Sequence, residues 1–486
     1  MGAAELGPLR RSISGDLSLT PGLYTVSSFE YHREMLRLTL KLFLAVAVLV
    51  TASAQTPRVF FGNLHSHTAY SDGTGTPQQA FDFARTTGKL DFLCVSEHNH
   101  ISAEGTGDDP LKLHIAKDHT LYNGTRADSL TSAAKKVNID FAGSFVGLYG
   151  QEFSVIAKGN HLNVFDVGEV IDEAVIPNRG FEKLYGTWLP AHLDSSGKLP
   201  MVQFNHPAKV TEDYGILKYP DEAAFIAAVQ PYARTIAIVS GPHDTKPGDP
   251  VVHNDRFDTA AYFHYLNLGL QLGPTMDGDN HFITFGTSTD HRTAVWATEL
   301  TKEAILTAIR DNHVYATQDK NLVVDFRINN QIMGSKLHAK AGDPLTISVQ
   351  LSDPDEPAAK YHVTLFHDTV GDSVEPSEID HNDLTGNGTV TFDPQKYIGG
   401  VEYYLVHIEQ TGTGKKDHAW TAPIWISVDE DHIPTPPDST GFVWSVNSKV
   451  FHITGCKDAA RILDANRRTG TTAPDGKTLH KNCPLH

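Results

Sequence analysis

The sequence predicts an α/β fold, either a barrel or a doubly wound sheet, followed by an all-β sandwich and a small C-terminal module. Two observations carry that expectation. Between Val59 and Ala316, short apolar runs alternate with amphipathic helical stretches, the pattern of strands joined through helices. After Gln318 the period drops to two, with Asp, Gly, Asn and Pro filling the gaps between runs.

In chain order, "RVFFGNLHSH" reads as the first strand. "TPQQAFDFARTTG" reads as a helix, with Thr76 as its N-cap, Pro77 in the first turn and Gly88 past the end. "LDFLCVSEH" is apolar almost throughout, as suits a strand covered on both faces, and Cys94 is a small buried hydrophobe within it. "SFVGLYGQEFSV", "HLNVFDV", "MVQFNHP" and "TIAIVSGP" are further strands, and "PDEAAFIAAVQPYA" and "TKEAILTAIRDNH" are helices. This α/β part spans residues 57–318. Residues 319–430 hold the sandwich, from "LVVDFRINNQIMGSKL" to "TAPIWISV". The Pro-rich "DEDHIPTPPDSTG" then leads into a module ending at residue 486. There, His452, Cys456, His480 and Cys483 allow either a Cys456–Cys483 disulfide or a His2Cys2 zinc site.

The first 54 residues read as an extension and a secretory signal. "MLRLTLKLFLAVAVLVTASA" starts at Met35, carries Arg37 and Lys41, runs apolar from Leu42 to Val50 and ends in the small-x-small Ala52-Ser53-Ala54. The apolar run is shorter than the ~20 residues a membrane span needs. The expected location is secreted or periplasmic, with no stable membrane span. With 58 Asp and Glu against 40 Lys and Arg, the chain has a net charge of −18, which argues against a nucleic-acid partner.

The expected chemistry follows from how the strands end. In "NLHSHTAYSDG", His65 and His67 are two apart and share one face of an extended segment, with Asp72 close behind. "SEHNH" brings Glu97 and His98, "YGQEF" brings Glu152, "GNHLNV" brings His161, "FNHP" brings His206, and "MDGDNH" brings Asp279 and His281. Strand C-terminal ends converge in parallel α/β barrels, so these residues form one imidazole and carboxylate set without a thiolate. Such a set suits two or three divalent ions of Zn, Mn or Fe in a hydrolytic site. "TDHR", with Asp290 and His291, is a rival for the last pair.

These motifs together resemble the PHP (polymerase and histidinol phosphatase) superfamily. "RTAVWATELTKEAILTAIRDNHVYAT" and the β segment after it are similar to the secreted carbaryl-hydrolase group of metallohydrolases. The resemblance covers about residues 57–430. It implies a distorted seven-stranded (β/α) barrel in which His65 and His67 bind one metal and Glu152 bridges two. His98, His161 and His206 complete the second and third sites, Asp72 serves the third, and Asp279 with His281 closes the set. It favours that pair over Asp290 and His291, because Arg292-Thr293 then falls where the family places Arg-Thr. Glu97 stands where the family usually has Asp. The implied reaction is phosphoester hydrolysis by a metal-bound hydroxide, with hydrolysis of a carboxyl or carbamate ester as the alternative. Arg292 would offer a cationic contact, and His206 a proton for the leaving group. The expected partner is a small ester or phosphoester. A reading from another class is a secreted module that binds a metal or glycan without catalysis.

Overall fold

In the computed structural model, the described residues are 56–99, 124–154, 160–172, 175–177, 179–207, 213–254, 256–371, 375–411, 416–428 and short pieces between 442 and 479. The signal segment, Cys456, His480 and Cys483 lie outside them. Among the described residues, no helix is long and apolar enough to cross a membrane.

Seven strands follow one another across the sheet in chain order: β1 (Arg58–Asn63), β2 (Phe92–His98), β3 (Val146–Phe153), β4 (Leu162–Phe165), β5 (Met201–Phe204), β6 (Ala233–Ser240) and β7 (Gly273–Asp277). All are parallel except β4, which runs against both neighbours. The sheet curls until its outer strands meet. Ser66, just past β1, bridges Asn280, just past β7, and the His67 amide donates to the Asn280 carbonyl at 2.8 Å. One consequence positions the site. Because β4 is reversed, its N-terminal side lies level with the C-terminal ends of the other six.

The helices start where the sequence marks them. Helix α1 (Pro77–Thr86) carries a capping box: Thr76 Oγ1 accepts from the Gln79 amide, and Gln79 Oε1 accepts from the Thr76 amide. Helices α2 (Gly124–Asp140) and α3 (Glu222–Val229) follow. Helix α4 (Thr259–Asn267) has no polar stripe to betray it, because Ala261, Tyr262, Phe263, Tyr265, Leu266 and Asn267 are all buried. Helix α5 (Lys302–Arg310) is capped by Thr301, whose hydroxyl accepts from the Ala304 amide.

Beyond the curled part, β8 (Arg292–Ala297) pairs antiparallel with β1, and β9 (Val314–Thr317) with β8. The same sheet then continues past residue 318, because β9 pairs with Asp417–Thr421, which pairs with Val401–Thr411. A second sheet is built on Val323–Ile328 and Ile347–Ser352. Val324, Phe326 and Val349 from it and Val363, Val406 and Ile426 from the first sheet belong to one buried cluster. That cluster also takes in Ile305 and Ile309 of α5 and Tyr315 of β9. The expected boundary at 318/319 therefore separates neither sheet nor core. In the C-terminal segment, Arg467–Gly470, Phe442–Ser445, Val450–Ile453 and Thr478–Leu479 form a separate small sheet.

In the β part, His407 lies flat on Trp420, 4.0 Å between ring centres, with its Nε2 2.9 Å from His418 Nδ1. Burial, and then the His418 and His362 charges, push its pKa down to about 3. The unfolded chain, with a pKa near 6.5, takes up this proton first, so the contribution is present above pH 6.5 and is lost as pH falls towards 3. Between pH 8 and pH 5 this one group is expected to remove about 2 kcal/mol. Urea midpoints at the two pH values should show it, and His407→Phe should fall less over the same interval.

Candidate metal centre

The segment after β1 stays extended because each residue is tied to a neighbour. Leu64 donates its amide to Asp277 Oδ1 at 2.7 Å, and the Ser66 hydroxyl donates to the Cys94 carbonyl at 2.6 Å. With Leu64 and Ser66 held on one side, His65 and His67 point to the other, inside the mouth of the curled sheet. His98 ends β2, Glu152 is near the end of β3, His161 precedes the reversed β4, His206 follows β5, and Asp279 and His281 follow β7.

Glu152 is the hub. Its Oε1 lies 2.9 Å from His161 Nδ1, 3.0 Å from His65 Nε2 and 3.4 Å from His206 Nε2. Its Oε2 lies 3.2 Å from His67 Nε2 and 3.3 Å from His98 Nδ1. Asp279 Oδ1 stands 3.2 Å from both His65 Nε2 and His67 Nε2, and its Oδ2 is 3.6 Å from His206 Nε2. Asp72 joins His281 Nε2 at 3.2 Å and His98 Nε2 at 3.4 Å. The His67 ring is stacked between those of His98 and His281, each 4.5 Å away. The residues fall into three overlapping groups, each able to aim one atom per residue at a common point. These are His65, His67, Glu152 and Asp279; His67, Asp72, His98 and His281; and His98, Glu152 and His161.

The electrostatics fit cations. Asp72, Glu152, Asp279, Glu97 and Asp277 come together here, and none ion-pairs with a Lys or Arg among the described residues. Buried carboxylate charge without such a partner has to be met by imidazolium or by a bound cation. Glu152 Oε2, Asp279 Oδ1 and His65 Nδ1 are buried and have no hydrogen-bond partner among the described residues. Imidazole nitrogens and carboxylate oxygens that converge at these distances suit a shared cation. Burial would raise the Glu152 carboxyl, but the imidazoles of His161, His65 and His98 outweigh it and hold it well below the usual range. Burial is also the largest influence on His161, and pushes it down to about 4, which keeps its ring neutral and able to ligate.

Backbone strain marks the same mouth. His206 and Asp279 sit in the left-handed region, at φ 50° and 47°. For residues other than Gly this costs on the order of 1–3 kcal/mol each and persists where the surroundings impose it. Beside Asp279, a Cβ on Gly278 would stand 2.2 Å from Asn280 Oδ1, so any other residue there would displace the Asn280 amide.

All nine residues named as ligands from the sequence lie within this cluster, and His206, named also as a proton donor, keeps its side chain 17% exposed. The rival pair lies elsewhere: the His291 ring faces Gln318 and His253, and burial pushes its pKa down to about 3. Arg292 is a correction to the expected cationic contact. Its guanidinium is buried and donates to the carbonyls of Gly286, Thr289 and His291. It braces the loop before β8, and no ion pair or hydrogen bond joins it to the histidine cluster among the described residues.

Sequence reasoning read Glu97 as adjusting a contact behind a ligand, and missed Asp277, Gln203 and Asn205. Asp277, the last residue of β7, accepts from the Leu64 amide, from Thr293 Oγ1 at 3.1 Å and from Gln203 Nε2 at 2.9 Å. Asn205 donates to Glu152 Oε1 at 2.9 Å and accepts from Gln203 Nε2. Glu97 is not aimed at the centre. It receives the Thr68 amide and the hydroxyls of Thr68 and Ser71, which fixes the turn carrying His67 and Asp72. The period-two spacing of Asp277, Asp279 and His281, and of Gln203 and Asn205, is the signal that could have found two of these supports.

Comparison with known proteins adds little to this geometry. No family model matches the chain. Part of it is 27% identical over 143 residues to an uncharacterized protein of Chlamydia trachomatis serovar D, covering 28% of this chain and 22% of that one. An uncharacterized protein of Chlamydia muridarum is 28% identical over 144 residues, with the same coverage. The match thus spans about a fifth of the relatives' length. Among solved structures, a β-glucosidase from Listeria innocua is similar at 12% identity and a TM-score of 0.14, over 43% of this chain and 38% of that one. A likeness that slight says nothing about fold or chemistry.

Proposed function

We propose that the protein is a metal-dependent hydrolase of the PHP type, acting on a phosphoester. The observation that carries this reading is Glu152, a buried carboxylate spread among the imidazoles of His65, His67, His98, His161 and His206. Divalent ions held there would supply Lewis-acid activation of water and neutralise charge developing on the substrate oxygens. His65, His67, Glu152 and Asp279 would hold one ion, Asp72, His98 and His281 another, and Glu152 with His98 and His161 a third.

The chain's own residues have separate tasks. Asn205 donates to Oε1 of Glu152 and so helps to fix the orientation of the carboxylate. Glu97 and Asp277 fix the backbone on either side of the His65–His67 pair. His206, partly exposed and between Glu152 and Asp279, would hold a proton and pass it to a leaving oxygen. Among the described residues the pocket is lined by acceptors and imidazoles rather than Lys or Arg, so bound ions would provide the positive charge that draws in an anionic ester.

Elemental analysis of purified protein, paired with turnover of p-nitrophenyl phosphate, bis-p-nitrophenyl phosphate and 1-naphthyl acetate in added Mn or Zn, tests this. The expected outcome is two or three ions per chain and preference for a phosphoester; a metal-loaded chain inert towards all three would overturn it. Glu97→Ala should weaken metal affinity by about 10–100-fold while leaving the number of ions at saturation unchanged, measured by titration against a competing chelator.

A further inference from the structure

A second group of oxygens lies far along the chain from the histidine cluster. Asp319 follows β9, Asp353 and Glu356 sit in the turn after Ile347–Ser352, and Gln410 is near the end of Val401–Thr411. Gln410 Nε2 stands 2.9 Å from Glu356 Oε2, 3.0 Å from Asp353 Oδ2 and 3.4 Å from Asp319 Oδ2. An amide nitrogen has two hydrogens for these three acceptors. Gln410 is buried, and its Oε1 has no hydrogen-bond partner among the described residues. The buried Tyr361 hydroxyl is directed at Asp353. It faces the same group: burial, then the charges of Asp353, Asp319 and Glu356, push its phenol up.

The remaining oxygens of the two aspartates are already committed. Asp319 Oδ1 accepts the amides of Asn321 and Leu322, and Asp353 Oδ1 accepts those of Asp355 and Glu356. One oxygen of each carboxylate is thereby turned inward. Among the described residues no Lys or Arg pairs with Asp319, Asp353 or Glu356; the nearby Lys320 pairs with Asp355 at 3.6 Å. A cavity of about 210 Å³ opens on Asp319 and Glu356, rimmed by Asp290, Asp355 and Asp417.

We propose that Asp319, Asp353, Glu356 and the amide oxygen of Gln410 form a calcium site at the seam between the curled sheet and the β part. Turning the Gln410 amide by half a revolution exchanges its oxygen and nitrogen without altering its shape. Three competing acceptors and an orphaned oxygen then become four oxygens around one ion. Separations of 2.9–3.4 Å are those of neighbouring ligands in a shell of radius ~2.4 Å. An all-oxygen set with three charges and water from the cavity suits calcium, whereas the imidazole-rich centre selects other metals. The ion would tie the strand leaving β9 to the turn and strand of the β part, and this inference is independent of the hydrolase reading.

The test is thermal unfolding of the full-length chain after chelation, with CaCl2 or MgCl2 added. Calcium at about 5 mM should raise Tm by at least about 3 °C in the wild type and in His67→Ala, with a smaller shift from magnesium. Glu356→Gln should lose the calcium shift and raise the calcium-free Tm, because like-charge repulsion falls; that gain shows that the variant still folds. Terbium emission excited through tyrosine should be displaced by calcium in the wild type and absent from Glu356→Gln. No calcium shift in the wild type, or an equal shift in Glu356→Gln, overturns the proposal.

Discussion

Glu152→Gln is expected to remove at least one metal ion per chain and to lower kcat/KM on the best substrate by on the order of 10³-fold. The substitution keeps shape and hydrogen-bonding length but puts an amide among five imidazole rings. Two of the three ligand groups include this residue, so loss of its charge reaches both. Asp72, His98 and His281, in the group without it, should still retain an ion. Elemental analysis after exhaustive dialysis distinguishes this from general unfolding, with far-UV circular dichroism as the control. Unchanged metal content and unchanged turnover would sink the assignment of Glu152 as the shared ligand.

The second large effect concerns the whole fold. A chain restricted to residues 56–318 is expected to show no cooperative unfolding transition. Removing the β part leaves β9 as an open edge strand, since its partner Asp417–Thr421 is gone. It also strips Ile305, Ile309, Val314 and Tyr315 of cluster neighbours such as Val324 and Phe326. The uncovered apolar surface favours aggregation over a compact monomer. A sharp thermal transition and a dispersed amide NMR spectrum from that fragment would show that the shared sheet and core are dispensable.

Much of the site was legible because its signals are local. The period of two in His65-Ser66-His67 puts both imidazoles on one face of an extended segment, and the D-x-H of Asp279 and His281 marks a second cluster of donors next to a strand end. Thr76, Asp221 and Thr301 mark helix starts by their own hydrogen bonds, at the residues beside them. Arg292 was misjudged for the opposite reason. A charged residue next to a motif looks available from the sequence, but its guanidinium is spent on three loop carbonyls that only the folded loop brings within reach. Glu97 shows the same limit. Beside His98 it reads as a motif carboxylate whose contact lies behind a ligand, but only the folded strand shows that this contact is to Thr68 and Ser71.

The amino-acid order by itself determined which residues carry donor atoms, which strands and helices present them, and that strand ends hold most of them, because pattern and capping depend on neighbours a few positions away. Tertiary structure decided the rest. It reversed β4 so that His161 joins the mouth, chose Asp279 and His281 over Asp290 and His291, and joined the expected domains through β9. It also gathered Asp319, Asp353, Glu356 and Gln410 from separate segments. The physical reason is that charge compensation, sheet pairing and core packing depend on distances in space, which separation along the chain does not encode.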